Sequence, residues 1–206
     1  MTPARRALLI AGAATLCPGR YACAGTQAEE PLADSVRLAL AAAIGDAAPP
    51  EPSFETMDER LTYLRWLGEM SQRLRKREAE HMRRVEFLKT LWYESRRAGL
   101  EASLLLGLVQ VESGFRKYAV SSAGARGYTQ VMPFWARLIG DGDAARLFNM
   151  QLNLRFGCVI LRHYLGLERG DMYLALGRYN GSRGRPEYPN AVFASQRLWV
   201  YKPPGP

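Results

Sequence analysis

Beyond residue 56, the apolar segments of this chain repeat at the spacing of a helix, and no stretch alternates apolar with polar residues as a half-buried strand would. Leu61, Leu64, Leu67, Met70 and Leu74 share one helical face, and the 3.6-residue period returns over 104–111, 134–139, 150–167 and 172–179. Local signals agree with these bounds. Thr56 and Glu59 form a capping-box pair, Asn149 suits the cap before Met150, and Pro133 suits the first turn of the segment it opens. The expected fold class is all-α. At 206 residues the chain can bury one substantial core, so one main domain with a small appendage is expected.

The chain opens with Arg5 and Arg6, an apolar run over 7–16 and the small-residue sequence Ala22-Cys23-Ala24, the layout of an export signal cleaved after Ala24. The run is shorter than the roughly 20 apolar residues that cross a bilayer. Residues 1–24 therefore read as a signal peptide, with a retained anchor as the lesser alternative, and the mature chain as a periplasmic protein without a stable membrane span. The paired arginines also suit twin-arginine export. Leu16 before Cys17 and Arg20 upstream of Cys23 argue against a lipid-attachment site. Cleavage would leave Cys158, which lies in an apolar helical run and reads as a small core residue. Residues 25–55 read as an Ala/Pro-rich linker with a short helix over 31–44. A long charged helix is expected over 56–84, a catalytic domain over 85–195 and a tail over 196–206.

Hydrophobic residues at 48% and charged residues at 23% exclude wholesale disorder or a fibre. Loss of residues 1–24 removes Arg5, Arg6 and Arg20 and no acid, taking the net charge from +8 to +5. A basic protein attracts any polyanion, and outside the cytoplasm the cell wall is the polyanion at hand. The cations of residues 73–84 are interleaved with Glu78 and Glu80, so they read as a solvated helix face, and no nucleic-acid partner is assigned.

The chemistry centres on Glu112. Leu105 and Leu108 stand seven and four residues before it, which puts its carboxyl on the apolar stripe at the C-terminal end of a helix. Burial disfavours the ionised form and the negative end of the helix dipole adds to this, giving a neutral acid suited to protonating a glycosidic oxygen. A glutamate turned to solvent just before a Gly114 stop satisfies the same periodicity. The next segment adds weight: Ser121 to Gly127 is a turn rich in hydroxyls and glycine, and Gln130 and Met132 set an amide and a thioether in front of a new helix. Sugars take such amide partners.

Glu112-Ser113-Gly114-Phe115, Ala119-Val120-Ser121, Gly124-Ala125-Arg126-Gly127-Tyr128-Thr129-Gln130-Val131-Met132-Pro133 and Arg178-Tyr179-Asn180-Gly181 occur in that order. Together they resemble the soluble lytic transglycosylase family, the family-1 enzymes with a goose-type lysozyme fold, over roughly residues 85–195. The resemblance implies peptidoglycan glycan strands as substrate and Glu112 as sole acid and then base at the bond between N-acetylmuramic acid and N-acetylglucosamine. The muramic C6 hydroxyl would attack internally, leaving a 1,6-anhydro end without cofactor. It further implies that Ser121, Gln130 and Met132 line sugar subsites, that Tyr179 hydrogen-bonds the Glu112 carboxyl, that Asn180 holds substrate, and that Ser113 braces the end of the catalytic helix. The chain departs from the family where Tyr128 and Thr129 replace Leu-Met, and where Arg178, Gly181 and Ser182 replace Ala, Ala and Gly.

Ordinary glycosidases place a second carboxylate across the bond. Between Ala102 and Leu167 the acids besides Glu112 are Asp141 and Asp143, which sit with Gly140 and Gly142 and read as turn residues. A calcium loop opened at either aspartate would need a glutamate at its twelfth position, where Leu152 and Leu154 stand. His81 and His163 lack partners at ligand spacing, so no metal is assigned. A hydrolytic muramidase and a non-catalytic peptidoglycan-binding scaffold are the alternatives. Partners in envelope assembly are not identified by the sequence.

Overall fold

The computed structural model describes residues 27–45 and 52–203. The expected signal peptide with Cys17 and Cys23, residues 25–26 and 46–51 of the expected linker, and residues 204–206 lie outside the described residues. The described residues form helices α1 (Asp34–Ile44), α2 (Met57–Leu74), α3 (His81–Arg97), α4 (Ala102–Glu112), α5 (Pro133–Ile139), α6 (Met150–Leu167), α7 (Met172–Asn180) and α8 (Glu187–Arg197), with a 3₁₀ turn over Ala144–Phe148. No strand occurs among them, and the all-α expectation is met. None of these helices is long and apolar enough to cross a membrane.

Several helix starts follow from single side chains. Thr56 accepts from the Glu59 amide at 3.2 Å, Asn149 from Leu152 at 2.9 Å and Asp171 from Leu174 at 3.0 Å, each satisfying an N–H that the helix itself leaves unpaired. Pro133 occupies the first turn of α5, where its missing N–H costs nothing. Asp143 caps the 3₁₀ turn and Asp141 accepts from the Asp143 amide, so both aspartates serve the backbone of a loop.

The long helix expected over 56–84 is two helices joined by residues 75–80. The reason lies in Arg84, read from sequence as part of a solvated face but buried in the structure. Its guanidinium donates to the carbonyls of Glu78 at 2.9 Å and Ala79 at 2.7 Å and to Ser71 Oγ at 3.1 Å. Two carbonyls released by the break thus gain a charged donor, which stabilises the turn over a continuous helix. The fold-back lets Tyr63, Trp66, Leu67, Met70 and Leu74 of α2 pack with Phe87, Leu88 and Leu91 of α3 in the common core.

Helix α1 is held by its C-terminal carbonyls. Arg97 donates to Ala43 at 2.7 Å and Arg155 to Ile44 at 3.2 Å, cations placed at the negative end of a helix. Arg155 also pairs with Glu94 at 2.9 Å, with both side chains nearly inaccessible. Cys158 is buried in the same core and its thiol is pushed well up by desolvation, in keeping with a packing role.

Helices α4 and α8 share the most extensive contact of the fold. The closest point is Gly107, where an added Cβ would come within 2.7 Å of the Gln196 amide nitrogen and 2.9 Å of its Cα. Backbone against backbone cannot be relieved by a rotamer change, so Gly107→Ala must separate the two helices. Overpacking of this kind costs on the order of 1–3 kcal/mol. Denaturant unfolding of this variant is expected to show a loss in that range, together with reduced activity, because α4 and α8 carry facing parts of the site described next.

Candidate active site

Residues Leu104 to Val109 of α4 are buried through every turn, and the helix delivers Glu112 at its last position with the side chain half-buried. Two left-handed residues follow, Gly114 at φ 59° and Phe115 at φ 68°. For a non-glycine residue this conformation costs about 1–2 kcal/mol. The cost is offset by packing: the Phe115 ring meets Phe87 at 5.8 Å and Trp199 at 5.2 Å. Ser113 makes the matching polar anchor, its hydroxyl lying 2.8 Å from the Tyr128 carbonyl and 3.2 Å from that of Val109. Ser113 thereby fastens the end of α4 to the loop of residues 126–131.

That loop is organised by Asn153 of α6. Its Oδ1 accepts from the Thr129 amide at 2.9 Å, and its Nδ2 donates to the carbonyls of Arg126 at 2.9 Å and Leu147 at 2.8 Å. The fit requires two glycines. A Cβ on Gly127 would come within 2.4 Å of Asn153 Nδ2, and one on Gly157 within 2.7 Å of the Thr129 side chain. Thr129, one of the family departures, is fully buried with its hydroxyl 3.0 Å from both oxygens of Asn153. Tyr128, another, is buried against Phe87 at 4.9 Å, and its hydroxyl is pushed up to about 12 by desolvation first and by the charges of Glu78 and Glu86 second.

Gln130 adopts φ 51° and is buried, with its amide nitrogen donating to Gly127 at 2.9 Å and Ala119 at 3.2 Å. These bonds hold the strained residue in place. Ser121 Oγ accepts from the Ala125 amide at 3.0 Å, which closes the tip of the turn. Met132 is half-buried at the cap of α5 and packs on the core. Asn180 ends α7, donates to Ser182 Oγ at 2.9 Å, and keeps a buried Oδ1 with no partner.

The electrostatics favour a protonated Glu112. Desolvation dominates and raises its pKa from 4.5 to about 8, while a hydrogen bond from Tyr188 opposes the shift. Here the structure corrects an expectation. Tyr179 does not hydrogen-bond Glu112; its hydroxyl donates to the Thr129 carbonyl at 2.7 Å, satisfying a loop carbonyl beside a fully buried side chain. It is Tyr188, in the first turn of α8, that donates to Glu112 Oε1. Tyr179 still lies close enough for the Glu112 charge to add to the desolvation that drives its own pKa well up. Sequence reasoning missed Tyr188, although Tyr188, Val192 and Ser195 recur at helical spacing and are all buried.

A helical domain that brings one isolated, proton-retaining carboxyl up to a strained, amide-bearing loop has the parts of a general acid/base catalyst. The chain belongs to the family described as the Transglycosylase SLT domain, whose model matches residues 91–193, half of its length. It is similar to a protein named membrane-bound lytic murein transglycosylase C from Actinobacillus pleuropneumoniae serotype 5b, with 39% identity over 101 residues, covering 45% of this chain and 26% of that protein. A protein of the same name from Haemophilus ducreyi is 42% identical over 127 residues, covering 52% of this chain and 34% of the other. The chain thus spans about a quarter to a third of the length of these relatives. Among solved structures, an inactive mutant of lytic transglycosylase Slt from Pseudomonas aeruginosa aligns at TM-score 0.49 and 21% identity over 68% of this chain and 29% of that one.

Two titration experiments follow. Because the folded pKa of Glu112 is raised, its burial destabilises the native state as pH climbs from 4.5 towards about 8, and the penalty is constant above that. Glu112→Gln removes it, so the variant's unfolding free energy should exceed that of wild type by an amount that grows across this window. Tyr188→Phe removes the donor that favours the carboxylate. The Glu112 titration, followed by carbon NMR of the side-chain carboxyl, should then move further upward in Tyr188→Phe and less in Tyr179→Phe, whose hydroxyl bonds elsewhere.

Proposed function

We propose that this protein is a peptidoglycan lytic transglycosylase that cleaves the β-1,4 bond between N-acetylmuramic acid and N-acetylglucosamine, with Glu112 as its single acid and base. The observation that carries the reading is the Glu112 carboxyl itself: half-buried, raised to about 8, and hydrogen-bonded by a neutral phenol rather than a cation. At neutral pH such a group holds its proton and can give it to the glycosidic oxygen as the bond to the muramic C1 breaks. Once ionised it is a strong base for a carboxylate, steadied by the Tyr188 hydroxyl. It then takes the proton of the muramic C6 hydroxyl as that oxygen bonds to C1. The proton returns to Glu112, the sugar leaves as a 1,6-anhydro ring, and no water or cofactor enters.

In this reading Gln130 Oε1 accepts from sugar N–H and O–H groups, Asn180 helps to hold substrate, Ser121 and Met132 border the subsites, and Ser113 and Tyr179 keep helix and loop in register. Membership of the transglycosylase family and the order of its motifs support the assignment. The reading includes export to the periplasm, where peptidoglycan lies.

Mass spectrometry of the soluble products that the protein releases from purified sacculi tests it. Muropeptides ending in 1,6-anhydromuramic acid are expected. Reducing muramic ends would identify a hydrolase instead, and no release beside retained binding would identify a scaffold. Loss of the acid/base removes about 10²–10⁴-fold of rate, so Glu112→Gln should bind sacculi but release products slower by at least that order.

A further inference from the structure

Helix α2 carries a second apolar face. Leu61 and Leu64 belong to the period that also supplies Leu67, Met70 and Leu74, yet the helix turns Tyr63, Trp66, Leu67, Met70 and Leu74 inward and leaves Met57 64%, Leu61 40% and Leu64 49% exposed. At about 100° per residue these three and Gly68 fall within about 60° of arc, so they form one outward ridge along the first three turns. Cations border it. Arg60 stands on one flank and Arg65 on the other, and Arg75 and Lys76 follow where the helix ends. All four are exposed, and none makes an ion pair among the described residues. Of the acids of α2, Glu59 accepts from the Glu55 amide at 3.1 Å and Glu69 pairs with Arg73, which leaves Asp58 as the carboxylate beside the ridge.

We propose that this face docks the protein onto an anionic phospholipid bilayer, with Met57, Leu61 and Leu64 entering the headgroup layer and Arg60, Arg65, Arg75 and Lys76 meeting lipid phosphates. Exposed apolar side chains at this spacing gain by leaving water, and the cations around them complement a negative surface. Two other occupants fit the face less well. A second copy packed on the same patch would be related by a two-fold axis, which sets these cations against their own duplicates. A partner protein binds through anchors seated in pockets, and no main cavity among the described residues is lined by Met57, Leu61 or Leu64. A bilayer supplies both negative charge and an apolar layer, and it requires no pocket. The inference stands apart from the saccharide reading, because this face shares no residue with the Glu112 site.

Co-sedimentation with unilamellar vesicles tests it. The full chain should bind vesicles of phosphatidylglycerol mixed with phosphatidylcholine and bind phosphatidylcholine alone about tenfold or more weakly. It should be released in about 1 M salt, where the Debye length is about 3 Å. Arg60→Gln with Arg65→Gln should weaken binding to the anionic vesicles about 20-fold, each cation near such a surface being worth about fivefold. Leu61→Ser with Leu64→Ser should weaken it about tenfold. Both variants keep residues 1–56, so any pull of the apolar run over 7–16 on a bilayer is common to all. The replaced side chains are exposed and distant in sequence from Glu112, so Tm and activity on sacculi should stay unchanged. Anionic vesicles should also shield the Met57 thioether from peroxide, while Met82, 68% exposed but opening on the cavity it shares with Phe87 and Tyr128, remains reactive. Equal binding by wild type and both variants, or equal shielding of the two methionines, would overturn the proposal. So would a loss confined to the Arg60 and Arg65 variant, which would leave a general polyanion patch. A dimer that forms without vesicles and is lost in the Leu61 and Leu64 variant would assign the ridge to a second copy and overturn it likewise.

Discussion

The backbone contact between α4 and α8 at Gly107 is the constraint on which the acid depends. It brings the first turn of α8 against the end of α4, so that Tyr188 meets Glu112 and Val192 and Ser195 close the face below. Water is thereby excluded from one side of the carboxyl while no positive charge replaces it. Desolvation without a counter-cation raises a carboxyl pKa, and a single phenolic donor recovers only part of the shift. A larger residue at 107 would open the seam and let solvent lower the pKa towards that of an ordinary glutamate. The proton on Glu112 is in this sense a consequence of helix packing.

A second packing centre shapes the facing loop. Asn153 satisfies the carbonyls of Arg126 and Leu147 and the amide of Thr129, which helps a segment with little regular structure to lie buried. The isolated bridges pairing Arg126 with Val120 and with Val131 give this loop its only ladder-like contacts among the described residues. Gln130 sits in left-handed backbone because its neighbours are fixed this firmly. Thr129, though a departure from the family sequence, is accommodated by Gly157 opposite and by hydrogen bonds to Asn153, so the loop keeps its shape.

Much of this was legible in the chain because it depends on local rules. Apolar periodicity gave α4 to α7, single caps gave several helix starts, and the stripe ending at Glu112 marked a carboxyl on an apolar face. Periodicity left open which way the Glu112 side chain turned, and that was decided by α8, whose polar-rich sequence carries a weak helical signal. The partner of Tyr179 was misassigned for a related reason: two buried tyrosines approach one carboxyl, and which of them donates depends on how α7 and α8 cross. Arg84 illustrates a different limit. Nothing in a run of alternating charges distinguishes the one arginine that turns inward to hold a broken helix, because its partners are carbonyls created by the break itself.

Glu112 and Glu168 show what environment does to one side-chain type. Both carboxyls stand at the C-terminal end of a helix, Glu112 at the last residue of α4 and Glu168 at the cap of α6, and both meet partners from α7, α8 or the residues between them. One faces a phenol and is raised to about 8; the other faces two guanidinium groups and is lowered to about 2. They lie on opposite sides of neutrality because hydrogen-bonded cations compensate burial and a single neutral hydroxyl does not. A carboxyl keeps its proton at neutral pH under the first condition and forms ionic bonds under the second. A cation beside Glu112 would strip it of its proton at neutral pH, and loss of the cations from Glu168 would leave burial to push its carboxyl up, so the protonation of the two residues follows from where the arginines are placed.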